Sequence, residues 1–455
     1  MDLKCLFKPS TMAVIGVSTS QDTNPANVIY NKNHLRYPVK TFPVNPKSGM
    51  INRETLYKSV EDIQTDIDLA VIAVRAQFVP DVVKQCIKKE VGGAVIISGG
   101  FAEAGNADLQ QRVADMAKEA SFPFVGPNCL GIYAPDAVDT FFLPGERIIR
   151  PDKGNIGFVS QSGGVLVDQM VKFAGQSIGL SLGVSIGNKA GIRETDMLEW
   201  FEKDPGTRAI AFYIEGFDRG EGREFITKAG LCSKPVIVLK AGKSKKGVMA
   251  ASSHTASLAG DYRVFSQVMN QYNVAEADNE YELTSFCESL SCYSKAMGGN
   301  IGIVSLSGGH GVVAVDACEQ HGLSIPEIEQ NTMDIIQEKL APEIQNIVSL
   351  VNPMDLTGSA VDSDIMTTIR HLSRDSNIDC IIALLIPYSP GISADIGAKL
   401  SQVARNEGKP FIAYVPNEDK YRMIIEGFEL NNIPVASSVE GAVLMAKALK
   451  RYMPC

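Results

Sequence analysis

His254 lies in AASSHTASLAGD, a run of small residues between an apolar strand pattern, KPVIVLKAG, and a helical one, DYRVFSQVMNQY. Small neighbours leave an imidazole approachable and let backbone amides crowd around a phosphate. With an ordinary pKa of about 6.5, imidazole is substantially neutral near pH 7 and can attack phosphorus. The competing reading is a structural histidine. Glu215 ends the strand pattern AIAFYIEGF, at the carboxyl edge of a sheet, where ligands of α/β proteins gather. A carboxylate bonded to one ring nitrogen fixes the tautomer and leaves the other nitrogen free to attack. The competing reading here is a strand-end glutamate facing solvent.

Phosphate chemistry also needs a cradle, and the chain offers two. GNIGFVSQSGG begins at Gly154 and GNIGIVSLSGG at Gly299; they differ only at Phe158/Ile303 and Gln161/Leu306. Each is an apolar strand, a Ser-Gly-Gly turn and a helical pattern, so the two segments open duplicated units. Glycines allow close backbone approach, and a helix N-terminus offers unpaired N–H groups and partial positive charge. Ser160, Gln161, Ser162, Gly163 and Gly164 form one candidate phosphate site; Ser307, Gly308 and Gly309 form the other. A plain βα turn is the alternative for either one.

Three further patterns are weaker. VIGVSTSQDTNPANV has strand-turn-helix logic but one glycine, Gly16, where a dinucleotide fingerprint needs three. That disfavours a nicotinamide-dependent dehydrogenase and leaves room for a smaller-footprint nucleotide such as the ADP part of coenzyme A, with Lys47 of PVNPKSG as a cation for a phosphate. GVSIG matches a nucleophile elbow by letter, but the helical pattern starts only near Thr195, so Ser185 lacks the sharp strand-to-helix turn. KAGKSKKG lacks the upstream glycine of a P-loop, and no other triphosphate-binding motif is recognisable.

These residues must be held by sheets. Apolar runs such as MAVIGV, KTFPVN, DLAVIAV, GAVIIS and FPFVG alternate with amphipathic stretches, which predicts an α/β protein with parallel sheets covered on both faces. Breaks at LPGERIIRPDKGN and SKAMGGN predict domains near 1–143, 150–293 and 299–455. A chain of 455 residues has room for them at roughly 100–200 residues each. A formal charge of -9 disfavours nucleic acid as a partner. The opening residues hold no apolar core of signal-peptide length, and no run reaches the roughly 20 apolar residues of a membrane span. The expectation is a cytoplasmic protein with no membrane contact. Nine scattered cysteines without a C-x-x-C pair fit reduced thiols and no metal site.

Taken together, AVIGVS, PVNPKSG, SGGFAEAG, GPNCLGIYAP, GFVSQSGG, GNKAGIRETDMLEWFEKDP, YIEGF, SSHTASLAGD, SLSGGHGV and NPMDLTG resemble the CoA-binding (alpha) subunit of ADP-forming acyl-CoA synthetases, relatives of succinyl-CoA synthetase. The resemblance covers nearly the whole chain. It implies a Rossmann-like CoA-binding domain followed by two flavodoxin-like domains. It also implies a phosphorylated His254 held by Glu215 and the two Ser-Gly-Gly helices. The CoA site would take in Gly16, Val17, Ser18, Asn27, Asn45, Lys47, Val74, Asn128 and Cys129. The implied reaction passes acyl-CoA, phosphate and ADP reversibly to carboxylate, CoA and ATP, with magnesium accompanying the nucleotide. ATP or ADP would sit on an ATP-grasp (beta) partner subunit in an alpha2beta2 hetero-oligomer, with a small carboxylic acid as substrate. Three departures from the pattern stand out: NPAN at the first helix start, Ala256 after His-Thr, and SLSGGH in the second cradle. The alternative is a non-catalytic CoA- or acyl-CoA-binding regulatory module.

Overall fold

The computed structural model describes residues 3–47, 49–254 and 261–452, the side chains of 250–254 excepted. The chain forms two compact units, 1–278 and 279–455.

The first unit holds two large sheets, besides a two-stranded antiparallel pair at Met50–Ile51 and Glu54–Thr55. β1 (Thr11–Ile15), β2 (Lys40–Val44), β3 (Leu69–Ile72), β4 (Gly93–Ile96) and β5 (Phe124–Val125) pair in parallel in the order β2-β1-β3-β4-β5. All but the edges of these strands are buried, as continuous apolar runs require of a sheet covered on both faces. The second sheet is built from β6 (Gly131–Ala134), β7 (Val138–Asp139), β8 (Lys153–Ser160), β9 (Leu180–Ser185), β10 (Ala209–Ile214), β11 (Val236–Lys240) and β12 (Ala275–Ala277). Its order is β12-β11-β10-β8-β9-β6-β7. The five strands β8 to β12 repeat the parallel order of the first sheet, and β6 adds to β9 antiparallel. β6 and β7 precede the break near 143, yet they belong to the second sheet. A buried carboxylate secures them: Asp139 accepts from Lys32 at 2.7 Å and Arg150 at 2.6 Å, while Asn33 bonds both its N–H and its C=O. Lys32 and Asn33 lie on α1 (Pro25–Arg36), so this helix is bolted to the second sheet.

The remaining helices of this unit that bear on the site are α2 (Gly163–Gly175), α3 (Glu194–Lys203), α4 (Glu221–Leu231), α5 (Lys245–His254) and α6 (Tyr262–Gln271). One apolar core runs through both sheets, from Val14 and Val95 to Val159 and Val184.

In the second unit β13 (Ile301–Ser305), β14 (Met354–Asp355), β15 (Cys380–Leu384), β16 (Phe411–Tyr414) and β17 (Val435–Ala436) are parallel in the order β14-β13-β15-β16-β17. This is the same order for the third time, so the duplication legible at Gly154 and Gly299 is a duplication of topology. Helix α7 (Glu280–Cys292), on the N-terminal side of the break at 294–300, packs here, against α9 (Val439–Arg451) with α8 (Gly308–Gln320) also on that helix. Among the described residues no helix is long and apolar enough to cross a membrane.

Helix α7 carries an unusual buried group. Glu288 Oε1 accepts from the Val435 N–H at 2.7 Å, while Oε2 has no hydrogen-bond partner among the described residues. Burial pushes its carboxyl up to about 8, the Val435 N–H opposing and Glu429 adding to the rise. The unfolded carboxyl titrates near about 4.3, so the folded state holds the proton more tightly. The resulting stabilisation is complete below the unfolded value and is lost as pH climbs through the folded one. Denaturant unfolding of wild type is expected to show stability falling from about pH 5 to about pH 8, and Glu288→Gln to flatten that slope. Parallel profiles for the two proteins would show that Glu288 is ionised throughout.

Candidate functional site

In an open α/β sheet ligands bind where the strand order reverses, outside the carboxyl ends. In the second sheet that point lies between β8 and β10. β8 ends at Ser160, whose Oγ donates to the Ser162 carbonyl at 2.6 Å and accepts from the Ser162 N–H at 3.1 Å, closing a tight turn. Ser162 caps α2, its Oγ accepting from Val165 at 3.4 Å. Gly163 and Gly164 are the first helical residues. A Cβ on Gly163 would stand 2.8 Å from Leu130 Cγ, so glycine permits the close seating of this turn. The N-terminus of a thirteen-residue helix therefore opens beside Glu215, which follows β10 directly.

Gln161 ties these parts together. Its Oε1 accepts from the N–H groups of Glu215 at 2.6 Å and Gly216 at 3.0 Å, and its Nε2 donates to Gly216 O at 2.7 Å and to Glu194. Glu194 is 2 % exposed and opens α3. Lys189, 6 % exposed, donates to both Glu194 oxygens at 3.2 and 3.3 Å, to Gly216 O at 3.2 Å and to Glu221 Oε2 at 2.9 Å. Arg193 Nη1 lies 2.7 Å from Glu221 Oε1 as an ion pair without hydrogen-bond geometry. Burial alone would raise the Glu221 carboxyl, but Lys189, the Asp218 N–H and Arg193 hold it below the usual carboxylate range. Lys189 itself adopts φ +46°, a left-handed conformation uncommon for lysine, in a loop held at several points.

That loop also meets the first sheet's last segment. Asn188, Ala190 and Ile192 donate their N–H groups to the carbonyls of Pro127, Gly126 and Phe124 at 2.9, 3.0 and 2.9 Å. A Cβ on Gly187 would fall 2.3 Å from Asn128 O, so only glycine allows GNKAG to pass GPNC this closely. The result is a cavity of about 780 Å³ whose wall includes Asn128, Cys129, Gln161, Ser162, Gly163, Gly164 and Glu215. Phe142, Leu143, Val167 and Val171 give it an apolar side. Glu103 supports it from behind: burial would raise its carboxyl, but Asn188 and the N–H groups of Gly100 and Phe101 hold it below the usual range.

The remaining expected residues fall at the carboxyl edge of the first sheet. Gly16 has φ +109°, and a Cβ there would meet Ala73 O at 2.5 Å. This places Gly16, Val17 and Ser18 beside Val74 at the point where the order of that sheet reverses. Asn27 is fully buried and its amide is committed to Ser18, accepting from the N–H at 2.6 Å and donating to the C=O at 2.7 Å. Asn45 donates to Val17 O at 2.7 Å and accepts from the Lys47 N–H at 2.8 Å. These two side chains shape the loop, and Lys47 beside them is exposed. Cys129 is buried and its thiol turns toward Ile96 O at 3.4 Å, so only its main chain can line the site. Ser185 is buried with its Oγ accepting from the Leu130 N–H at 3.2 Å, a structural position.

His254 closes helix α5, and its side chain lies outside the described residues. In the second unit, Ser305 and Ser307 repeat the paired bonds of Ser160 and Ser162, at 2.7 and 3.1 Å, ahead of Gly308 and Gly309 at the start of α8. The imitation stops there. Leu306 is buried where Gln161 stands in the first unit, and a Cβ on Gly308 would lie 3.1 Å from an Asp355 carboxylate oxygen.

Glu194, Lys189, Glu221 and Asn188 were not singled out as site residues from sequence. The signal available was GNKAGIRE itself, with a lysine and a glutamate five residues apart.

The architecture defines a class: a Rossmann-like domain of the CoA-binding type followed by flavodoxin-like domains. Residues 10–135 match the CoA binding domain family, and residues 153–290 match the succinyl-CoA ligase like flavodoxin domain family. The chain is 33 % identical over 463 residues to the ADP-forming acetate–CoA ligase I subunit alpha of Pyrococcus furiosus, covering 99 % of this chain and 98 % of that one. With the ADP-forming acetate–CoA ligase I of Archaeoglobus fulgidus it shares 39 % identity over 387 residues, 84 % of this chain but 54 % of that longer protein. A solved Ca. Korarchaeum cryptofilum structure, dinucleotide forming acetyl-coenzyme A synthetase 1 in complex with phosphate and ADP, superposes with a TM-score of 0.90 at 28 % identity, over 99 % of this chain and 97 % of that one. The chain belongs to the family of ADP-forming acetate–CoA ligase alpha subunits.

Removing Lys189 would leave two buried carboxylates facing each other. Lys189→Met is expected to cost about 3–5 kcal/mol of stability in urea unfolding. A loss under about 1 kcal/mol would show that the network is not held by this ion pair.

Proposed function

We propose that this chain is the CoA-binding and phosphoryl-carrying subunit of a nucleoside-diphosphate-forming acyl-CoA synthetase. The observation that carries the reading is the shared cavity in which GPNC main chain, the Ser162–Gly164 helix start and Glu215 face one another. Such a site can hold a thioester, a phosphate and an imidazole at once, and holding reactants in contact is the larger part of catalysing their exchange.

The steps follow from these groups. A phosphate oxygen attacks the acyl carbonyl; the C–S bond breaks, CoA leaves as thiolate and takes up a proton, and an acyl phosphate remains. An imidazole nitrogen of His254 then attacks phosphorus, the P–O bond to the acyl group breaks, and the carboxylate departs. Glu215 accepts a hydrogen bond from the other ring nitrogen, and the α2 N–H groups hold the phosphoryl oxygens. Finally the phosphoryl group passes from His254 to ADP. That acceptor, with its magnesium, would be held by an ATP-grasp partner subunit, in an alpha2beta2 assembly in the cytoplasm; what supports a partner is that full-length relatives are named as alpha subunits. On the CoA side, Lys47 and the loop of Gly16, Val17 and Ser18 would meet the ADP moiety.

Two measurements test this. The chain, mixed with its ATP-grasp partner and γ-labelled ATP, is expected to gain an acid-labile, base-stable label that is lost in His254→Ala. Acid-stable label, or label persisting in that variant, would remove His254 from the reaction, and no label with tight CoA binding would favour a regulatory CoA-binding module. The isolated chain, given ATP, magnesium, CoA and a panel of monocarboxylic and dicarboxylic acids, is expected to bind CoA without forming acyl-CoA until the partner is added. Equal rates with and without the partner would place a nucleotide site on this chain.

A further inference from the structure

The Glu215–Gly216 pair lies between two cavities. One is the cavity described above; the other, of about 720 Å³, is bordered by Gly216, Phe217, Arg219, Val264 and Phe265 and reaches Lys240. Lys240 ends β11 in register with Ile214 of β10. It is 5 % exposed, and its Nζ donates to Glu215 O at 2.7 Å and Ala241 O at 2.5 Å. The ammonium also lies 5.9 Å from the centre of the Phe265 ring.

Each main-chain polar group of Glu215 and Gly216 is thereby held by a side chain. Gln161 takes both N–H groups, Gln161 and Lys189 take the Gly216 carbonyl, and Lys240 takes the Glu215 carbonyl. A strand-end dipeptide needs no such grip to stay in a fold; water or a neighbouring turn serves for most. Burying an ammonium is also unfavourable. Burial pushes Lys240 down to about 8, with attraction to the Glu215 carboxylate opposing the fall. A methionine in the same space would satisfy packing alone.

We propose that Lys240 is a positioning residue for the phosphoryl transfer: by holding the Glu215 carbonyl and attracting its carboxylate, it fixes where that carboxylate stands to receive the imidazole. The proposal rests on the reading that Glu215 orients His254. It adds a residue outside the Ser-Gly-Gly turns and the histidine loop, acting through Glu215 and touching no substrate.

A double-mutant cycle tests it on the subunit mixed with its partner, reading the single-turnover rate of phosphohistidine formation and the KM for CoA. Lys240→Met is expected to slow phosphorylation about 10–100-fold with the KM for CoA within about two-fold of wild type, and Lys240→Arg to recover most of the rate. In a Glu215→Gln background, Lys240→Met is expected to add less than about two-fold, because the group it positions is already disabled. Wild-type rate in Lys240→Met, or an equal loss in both backgrounds, overturns the proposal. If Lys240→Met fails to fold, Lys240→Leu, which likewise removes both the donor to the Glu215 carbonyl and the charge, is read by the same cycle and the same criteria. A Glu215→Gln protein as fast as wild type would instead overturn the role of Glu215 on which the proposal stands, an outcome distinct from a slow Glu215→Gln paired with an unaffected Lys240→Met.

Discussion

The side-chain amide of Gln161 is the interaction on which the carboxyl edge of the second sheet depends. One planar group, with a single acceptor oxygen and two donor hydrogens, accepts from two successive N–H groups and donates to a carbonyl and a carboxylate. In doing so it joins the turn after β8, the end of β10 and the start of α3. A buried network of this kind strengthens each bond because water cannot compete, and for the same reason it penalises any missing member. The position is also where the two duplicated motifs part company. Leu306 fills the equivalent place with packing alone, and the second unit has the helix and the glycine turn without the apparatus that would aim a carboxylate at them.

The two edges of the first unit use the same division of labour. Asn27, Asn45, Gln161 and the buried lysines hold main chain, and the helix start at Ser162, Gly163 and Gly164 lines the cavity. Phosphates are well served by that arrangement, since backbone dipoles carry no side-chain entropy and need no reorganisation when charge arrives. It also explains why the glycines at 16, 163 and 187 matter through what a Cβ would strike: a carbonyl of Ala73, the Leu130 side chain and the main chain of Asn128.

Some expectations from sequence came through the fold with a changed meaning. Asn27, a candidate for the CoA pocket, is a buried brace of the Ser18 loop. Cys129 lines the cavity, but its thiol is turned into the core, because GPNC must let GNKAG pass alongside and the space outside belongs to that loop. Conversely Lys189, Glu194 and Lys240 look in the sequence like ordinary surface charges flanking apolar runs. Their burial arises only because three loops converge at the reversal of strand order.

By itself the sequence determined the alternation of strands and helices and the duplicated strand-turn-helix openings, and it offered the candidates for phosphoryl chemistry, since each of these is written in local periodicity or in a short motif. The family followed from those motifs in order. Tertiary structure alone decided that the parallel strands of the three large sheets share one order, that β6 and β7, ahead of the break near 143, belong to the second sheet, and that α7 packs in the second unit. It alone decided which charges are buried and which main-chain groups they hold. Local sequence carries the chemistry of a residue; its burial and its partners are set by segments that meet across a sheet edge, and Gln161 to Glu215, 54 residues apart, is a contact of that kind.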